Sequence, residues 1–366
     1  MLSTIAVIVL TDKSRRAQCK GKRGFMAVES KNSSLAKARD AKQDEFYTQL
    51  SDIEKELKHY KKHFKGKVVY CNCDDPRVSG FFHYFSYNFE KLGLKKLITT
   101  CYKSGERDLF SSNDAEAAIM LEYTGDKDKN NVPDPSEIGI VKLKGDGDFR
   151  SEESIELLKQ ADIVVTNPPF SLFREYVAQL MENNKKFLIV ANQNAITYKD
   201  VFQHIQDNKI WLGYNNGDMS FKVPSYYEAR ETRFWVDDSG QKWRSLGNAC
   251  WFTNLDFNER HEEMILYRTY DPNNYSRYVN YDAIEVGTTK DIPSDYDGAM
   301  GVPITFLYKY NPDQFQILGS SRTVSKPMSQ FADKGSYMQG GPSFYLPDSV
   351  GGYRRLFFRI VIKRRM

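Results

Sequence analysis

The regular alternation of β-rich segments with amphipathic helical segments constrains this fold more than any other feature of the sequence. Five segments have the composition of buried strands: KVVYCN, LKKLITTCY, EIGIVKL, DIVVTN and KKFLIVAN. Segments with helical spacing, such as SEESIELLKQ and SLFREYVAQLMEN, lie between them. Because strands that alternate with helices form a mostly parallel sheet covered on both faces, we predict an α/β fold with a doubly wound sheet.

Three further segments have local patterns of their own. Residues 43–64 carry apolar side chains at three- and four-residue steps, which predicts an amphipathic helix, and Ser51 and Glu54 have the spacing of a capping box. The polar stretch 103–135 is predicted to be an excursion from the sheet. The segment FWVDDSGQKW predicts a hairpin.

Charge and composition divide the chain into three predicted regions. Residues 1–42 form a basic, flexible N-terminal arm, residues 43–256 an α/β domain, and residues 257–366 a smaller region in which the alternation weakens. Residues 1–43 hold ten Lys or Arg against three acidic residues, and the last fourteen residues hold six against none. Basic ends around an acidic middle suit a polyanionic partner, although basic tails can also be only solubilising.

Cysteine usage and hydropathy indicate a reduced, cytoplasmic protein. The five cysteines include no C-x-x-C pair, so neither a disulfide framework nor a zinc site is expected, and we predict no metal. The apolar run at residues 5–10 is too short to span a bilayer, so we predict no membrane partner.

Two consecutive prolines follow the strand DIVVTN, in the segment Asn167, Pro168, Pro169 and Phe170. Each proline fixes its own φ angle and pushes the preceding residue into an extended conformation, so this corner is stiff. Because prolines lack an N–H group, the corner presents acceptors, the Asn167 side-chain oxygen and the Pro168 carbonyl, beside an aromatic ring. Such acceptors could hold the amino group of a nucleobase and stabilise the positive charge that develops as its nitrogen attacks an electrophile.

The tetrad N-P-P-F resembles the fourth motif, D/N/S-P-P-Y/F/W, of amino-group DNA methyltransferases. Longer blocks are similar to EcoRI-type adenine-specific DNA methyltransferases and extend over most of residues 43–319: DEFYTQ, KVVYCNCDDPRVSGFF, LGLKKLI, GDGDFRSEESIELLK, DIVVTNPPFSLFREY, NKIWLG and MGVPITFL. The resemblance implies a class I S-adenosylmethionine-dependent, Rossmann-like fold with a smaller C-terminal target-recognition region. It also implies methylation of N(6) of a flipped-out adenine in double-stranded DNA, with S-adenosyl-L-methionine as cofactor.

The resemblance assigns a role to each matching residue. The residues implied in catalysis are Asn167, Pro168, Pro169 and Phe170, with the first two accepting from the target amine and Phe170 stacking on the base. The residues implied in cofactor binding are Phe46, Tyr47, Thr48, Asp75, Gly80, Asp148 and Phe149, with Asp148 accepting from the adenine of the cofactor and Phe149 packing on its ring. From the basic ends we add candidate DNA contacts at Lys20, Lys22, Arg23, Arg39, Lys42, Arg354 and Arg355.

The sequence departs from the wider superfamily in the cofactor loops. DDPRVSG keeps a single glycine, and the segment TTCYKS lacks the usual acidic residue for the ribose, so that residue stays unassigned. The aromatic and basic segments NNYSRYVNYD and YRRLFFRIVIKRRM are predicted to contact phosphates or to wedge into the base stack, and the apolar residues of the second could instead form a terminal strand.

Several functional alternatives fit the same residues. The fold and chemistry could act on another amine: cytosine N(4), RNA or a protein glutamine. A degenerate methyltransferase fold could also act as a non-catalytic DNA-binding module. The favoured interpretation is the modification enzyme of a type II restriction–modification system, whose cognate endonuclease need not form a stable complex with it.

Overall fold

The computed structural model describes residues 46–73, 79–100, 118–130, 132–134 and 136–365. Its strands are β1 Tyr47–Thr48, β2 Val68–Cys71, β3 Lys96–Thr100, β4 Ile119–Tyr123, β5 Gly139–Lys142, β6 Ile163–Thr166, β7 Lys186–Asn192, β8 Trp211–Asn216, β9 Met219–Lys222, β10 Phe234–Val236, β11 Lys242–Leu246, β12 Ala249–Thr253, β13 Ile284–Glu285, β14 Met300–Pro303, β15 Phe315–Ser320, β16 Tyr345–Pro347, β17 Tyr353–Arg355 and β18 Arg359–Arg364. Its α-helices are α1 Leu50–Leu57, α2 Gly80–Tyr87, α3 Phe89–Leu92, α4 Glu152–Gln160, α5 Phe173–Glu182, α6 Lys199–Gln206 and α7 Ser321–Val324.

A mixed eight-stranded sheet forms the centre of the fold, with the order β5-β4-β3-β2-β6-β7-β12-β8. Its middle strands β3, β2, β6 and β7 are parallel, while β12 runs antiparallel to both β7 and β8. The five strands predicted from composition are all present, so that part of the prediction is confirmed. Helices pack on both faces: side chains of α4, α5 and α6 share one hydrophobic cluster with Tyr70, and side chains of α1 and α2 share another with Val69.

The prediction that the stretch 103–135 leaves the sheet is wrong for part of it. β4 lies within that stretch and pairs antiparallel with both β3 and β5. In the structure, Leu121 and Tyr123 of β4 are buried and Glu122 between them is only partly buried. In the sequence, the polar residues around β4 obscure this strand pattern. β5 is consequently an exposed edge strand rather than a buried central one.

The helix predicted over residues 43–64 is shorter in the structure, and the predicted capping box is absent. Residues 46–48 are extended because β1 pairs antiparallel with β9, which takes the backbone of this segment into a sheet. Gln49 is the N-cap of α1, so Ser51 and Glu54 lie inside the helix. The aromatic segment after β2 forms α2 and α3, and α3 ends at Gly93, which has a φ of 63°.

Two hydrophobic clusters lie on opposite faces of the central sheet. Alternate residues of β2 belong to different clusters: Val68 and Tyr70 lie in one, and Val69 and Cys71 lie in the other. The first cluster continues without a break into the C-terminal sheet, whose order is β13-β14-β18-β15. No helix within the described ranges is long and apolar enough to cross a membrane.

The basic C-terminal segment is built into this second sheet. β18 lies between β14 and β15, with Ile360 and Ile362 fully buried, so the terminal-strand alternative is confirmed for these residues. Arg359 forms a partly buried ion pair with Glu285. The Arg365 Nε donates to the Pro312 carbonyl at 2.7 Å. This end of the chain is therefore packed against the protein and does not project as an arm.

Candidate active site

The diproline corner lies at the carboxyl end of β6, at the edge of the parallel strands where ligands bind in doubly wound sheets. Pro169 has a φ of −53°, which is the value that its own ring imposes. The Leu172 N–H donates to the Pro169 carbonyl at 3.0 Å and starts a short 3-10 turn over Phe170–Leu172, which leads into α5. The corner thus joins a buried strand to a helix through restrained backbone.

The Asn167 side chain is oriented by one hydrogen bond and leaves its oxygen available. Asn167 is 5% exposed, and its Nδ2 donates to the backbone carbonyl of Phe46. Its Oδ1 is buried and receives no hydrogen bond from the described residues. A buried amide oxygen without a donor is costly, and such an atom in a native structure requires an explanation.

An aromatic group covers this amide. The Phe46 ring lies 5.2 Å from the Phe170 ring, centroid to centroid, and 5.5 Å from that of Phe221. Tyr227 completes the group at 6.1 Å from Phe46. Phe170 is 8% exposed, so Phe46 closes the corner in this conformation.

The segment around Thr48 adds another buried oxygen near this edge. Thr48 is buried and its Oγ1 has no hydrogen-bond partner among the described residues, as is also the case for the Oγ1 of Thr166. A Cβ placed at Gly80 would lie 2.7 Å from the Thr48 carbonyl oxygen, so only glycine permits this approach of β1 to the start of α2. Tyr47 pairs with Lys222 across the β1–β9 ladder. Asp75 lies outside the described residues.

Asp148 and Phe149 occupy different environments. The Asp148 carboxylate accepts from Arg150 Nε at 2.9 Å and Nη2 at 2.6 Å, and these hydrogen bonds hold its pKa below the ordinary value. Phe149 is buried, with its ring edge-on to Tyr176 at 5.0 Å. Tyr176 donates its hydroxyl proton to Asn72 Oδ1, directly after β2. This chain of contacts connects Phe149 to the carboxyl end of the sheet, whereas Asp148 is paired with Arg150.

A separate cavity lies elsewhere among the described residues. It measures about 550 Å³ and opens at the amino-terminal edge of the parallel strands, where Lys67, Asp162 and Lys186 line it. None of the predicted catalytic residues borders it. We therefore assign the chemistry to the opposite edge, which holds Asn167 and the buried hydroxyls.

Comparison with known proteins identifies the family. A family model described as adenine-specific methyltransferase EcoRI matches residues 34–365. The chain belongs to this family. It is 54% identical over 305 residues to the type II methyltransferase M.EcoRI of Escherichia coli, a match that covers 82% of this chain and 93% of that protein.

Two mycoplasma proteins extend the comparison. M.MgeORF184P of Mycoplasma genitalium is 40% identical over 77% of this chain and 84% of its own length. M.MpnI of Mycoplasma pneumoniae is 38% identical over the same shares. No solved structure matches the chain. The resemblance found in the sequence blocks is confirmed, and the protein is a DNA adenine methyltransferase.

The basic residues predicted to contact DNA are described only at the C-terminal end of this methyltransferase. Lys20, Lys22, Arg23, Arg39 and Lys42 lie outside the described residues. Arg354 and Arg355 are exposed on β17, and Arg355 donates to the Gly341 carbonyl at 2.9 Å. Two of the aromatic rings of NNYSRYVNYD do not fit the predicted DNA contact, since Tyr275 and Tyr278 are buried, and Tyr278 stacks on Phe344. The third, Tyr281, is partly exposed.

A small antiparallel sheet that is not predicted as a whole from the sequence lies beside the methyltransferase corner. Its order is β1-β9-β11-β10, and the sequence predicts only its hairpin of β10 and β11. Lys222 lies 5.7 Å from the ring of Trp243, which stacks on Trp235, and the guanidinium of Arg230 lies 5.7 Å from the ring of Tyr227. The mixture of aromatic and basic residues in SYYEARETRFW is the sequence signal that could have indicated this sheet.

Proposed function

We propose that this methyltransferase transfers a methyl group from S-adenosyl-L-methionine to N(6) of an adenine flipped out of double-stranded DNA. We further propose that it is the modification enzyme of a type II restriction–modification system, acts in the cytoplasm, and forms no stable complex with a cognate endonuclease. The names of its three relatives, all type II methyltransferases, support the choice of system. The fold proposed for the catalytic part, residues 43–256, is the class I Rossmann-like fold.

The free oxygen of Asn167 is the observation that carries this proposal. With Nδ2 committed to the Phe46 carbonyl, Oδ1 is held as an acceptor and cannot rotate away without losing that bond. A target amine would supply the missing donor, and the Pro168 carbonyl would accept from the second N–H. Both acceptors stabilise the positive charge that develops on nitrogen, so the chain needs no general base in the bond-forming step.

Phe46 controls access to this acceptor. Because its ring covers Phe170, a base can stack on Phe170 only after Phe46 has moved. Extruding a base costs a few kcal/mol, and stacking on Phe170 recovers part of that cost. We propose that the Phe46 ring rotates away as the adenine enters, while the Phe46 carbonyl keeps its hydrogen bond with Asn167 and Pro169 keeps the corner rigid.

The buried hydroxyls fit a polar cofactor at the same edge. Bound S-adenosyl-L-methionine supplies the electrophilic methyl group. Thr48 and Thr166 offer donors that lack partners among the described residues, and Thr48 would bind the carboxylate of the amino acid portion. Tyr47, Asp75 and Gly80 would border that portion. Asp148 and Phe149 keep their proposed contact with the adenine of the cofactor, for which Asp148 would share its carboxylate with Arg150.

Target recognition is proposed for residues 257–366, together with the basic residues of 1–42. The exposed Arg354 and Arg355 would contact phosphates, which position the enzyme without reading sequence. Phe357 is an exposed aromatic next to them in sequence and would contact the distorted duplex.

A direct assay tests the proposed reaction. Random-sequence duplex DNA is incubated with S-adenosylmethionine labelled in its methyl group, with RNA and protein offered in parallel reactions. The labelled nucleosides are then separated, and the modified positions in the DNA are mapped. We expect the label in N(6)-methyl-2′-deoxyadenosine at one repeated sequence. Label in N(4)-methyl-2′-deoxycytidine, in RNA or in protein would overturn the assigned substrate, and cofactor binding without any transfer would favour the non-catalytic alternative.

Replacing both Arg354 and Arg355 by glutamine should reduce the salt dependence of DNA binding. Each lost phosphate contact reduces the slope of log K against log salt concentration by about 0.9, so the double variant should lose about 2 from that slope. Binding is measured by fluorescence anisotropy over a salt series. Lys55→Gln, an exposed cation on α1, is the matched control and should leave the slope unchanged. An identical slope in the double variant and in the unaltered protein would exclude both arginines as phosphate contacts.

A further inference from the structure

Three carboxylates converge in the loop that joins β4 to β5. One oxygen each from Asp126, Asp128 and Glu137 lies within 4.8 Å of the other two. Carboxylates at this separation repel one another unless a cation or a proton lies between them. The loop is separate from the methyltransferase corner, and nothing in the proposed reaction uses it.

Glu137 provides an independent indication of a ligand. The residue is only 5% exposed. Its Oε1 accepts from the backbone N–H groups of Lys127 and Asp128, the second at 3.3 Å. Its Oε2 is buried and has no hydrogen-bond partner among the described residues. A buried carboxylate oxygen without a donor is costly, and a bound cation would satisfy it.

The spacing of the oxygen-bearing residues is that of a calcium-binding loop. In the EF-hand loop, ligands come from positions 1, 3, 5, 7, 9 and 12, with a backbone carbonyl at position 7 and a glutamate at position 12. Counting from Asp126, this chain has matching residues at those positions: Asp126, Asp128, Asn130, Val132, Asp134 and Glu137. The usual glycine at position 6 is Asn131, which lies outside the described residues.

The local electrostatics also favour a cation. Tyr123, at the end of β4, has a pKa of about 12, first because it is buried and then because of nearby negative charges on Glu137, Asp126, Glu90 and Asp134. Lys127 and Lys129 are exposed within the loop. The negative charge of these carboxylates therefore acts on Tyr123, at the end of β4.

We propose that Asp126, Asp128 and Glu137 bind a hard divalent cation, Ca²⁺, with further oxygens from Asn130, Val132 and Asp134. The spacing of these ligands is that of an EF-hand, but two strands carry them instead of two helices. Oxygen ligands in this number suit Ca²⁺ better than Mg²⁺, which requires near-ideal octahedral geometry. The cation would join the start of the loop at Asp126 to its end at Glu137 and so hold the β4–β5 hairpin at the sheet edge.

Calorimetric titration of the full-length, chelator-treated protein with CaCl₂ tests this site. We expect one binding event with a Kd between about 10⁻⁵ and 10⁻³ M, since the loop lacks the usual glycine. Ca²⁺ should also raise the thermal midpoint of unfolding, because it binds only the folded loop. Asp128→Asn should weaken the affinity at least about tenfold, since it removes one charged ligand.

A control and a second probe keep the test decisive. Asp271→Asn changes a loop carboxylate elsewhere, which accepts from the Asn273 N–H at 2.9 Å, and should leave the Ca²⁺ affinity intact. Terbium luminescence excited through tyrosine should appear on titration with Tb³⁺ and be lost in Tyr123→Phe. The absence of heat and of a thermal shift at millimolar Ca²⁺, equal affinity in Asp128→Asn, or Mg²⁺ binding as tight as that of Ca²⁺ would each overturn the proposal.

Discussion

Asn167→Ala should lower kcat for DNA methylation by about 10²–10³-fold, the usual effect of removing one preorganised polar group from a transition state. The variant loses the oxygen that would accept from the target amine, while its DNA-binding surface is unchanged. The affinity for DNA should therefore change by less than about twofold, since phosphate contacts dominate binding. Single-turnover methylation and fluorescence anisotropy measure the two effects separately.

Two further variants define the role of this amide. Asn183→Ala makes the same chemical change at the end of α5, where the side chain only donates to the Gln179 carbonyl at 2.8 Å, and it should leave kcat unaltered. Asn167→Asp keeps an oxygen acceptor and should retain more activity than Asn167→Ala. A parallel loss of turnover and DNA affinity in Asn167→Ala would mean that the residue supports the fold and not the reaction.

Glu56→Ala should be the most destabilising single change at a polar position of α1, lowering the free energy of unfolding by about 3–5 kcal/mol. The buried carboxylate accepts from the Tyr60 hydroxyl, the Tyr214 N–H and the Asn215 N–H, each at 2.8 Å. Burial raises the pKa of Glu56, although the Asn215 and Tyr60 donors oppose that shift. Alanine would remove the acceptor of all three donors and leave the buried Tyr60 hydroxyl without a partner for its proton.

Glu54→Ala, on the exposed face of the same helix, is the matched control and should change stability by less than about 0.5 kcal/mol. Urea denaturation of both variants gives the two free energies. Because α1 directly follows Phe46 and Thr48, Glu56→Ala should also impair methylation by loosening the segment over Asn167. Equal stability of the two variants would show that Glu56 does not anchor α1 to β8.

The central strands and the corner are predictable because their signals are local. The strands β2, β6 and β7 can be recognised from a few adjacent residues, since burial on both faces requires an uninterrupted apolar run. Pro168 and Pro169 restrict their own backbone and that of the residue before each, whatever surrounds them. The blocks that contain these strands and this corner are also specific enough to indicate the methyltransferase family by themselves.

The position of Phe46 over Asn167 cannot be predicted from local sequence patterns. Phe46 lies 121 positions from Asn167 in sequence, and its carbonyl is held there because β1 pairs with β9. Local pattern instead favours a helix through this segment. The segment forms a strand instead because its backbone pairs with β9 and the Phe46 ring packs against Phe170 and Phe221. These partners are distant in sequence, so no short stretch of sequence reveals them.

The same distinction applies at the end of the chain. The sequence by itself determined the charges of the C-terminal segment, the family and the stiff acceptor corner. Only the tertiary structure decided that Arg359 pairs with Glu285, that Tyr278 stacks in a core, and that the free oxygen of Asn167 lies under Phe46. Backbone restraint and apolar runs are properties of neighbouring residues, whereas the partner of a side chain depends on which distant segments the whole fold brings together.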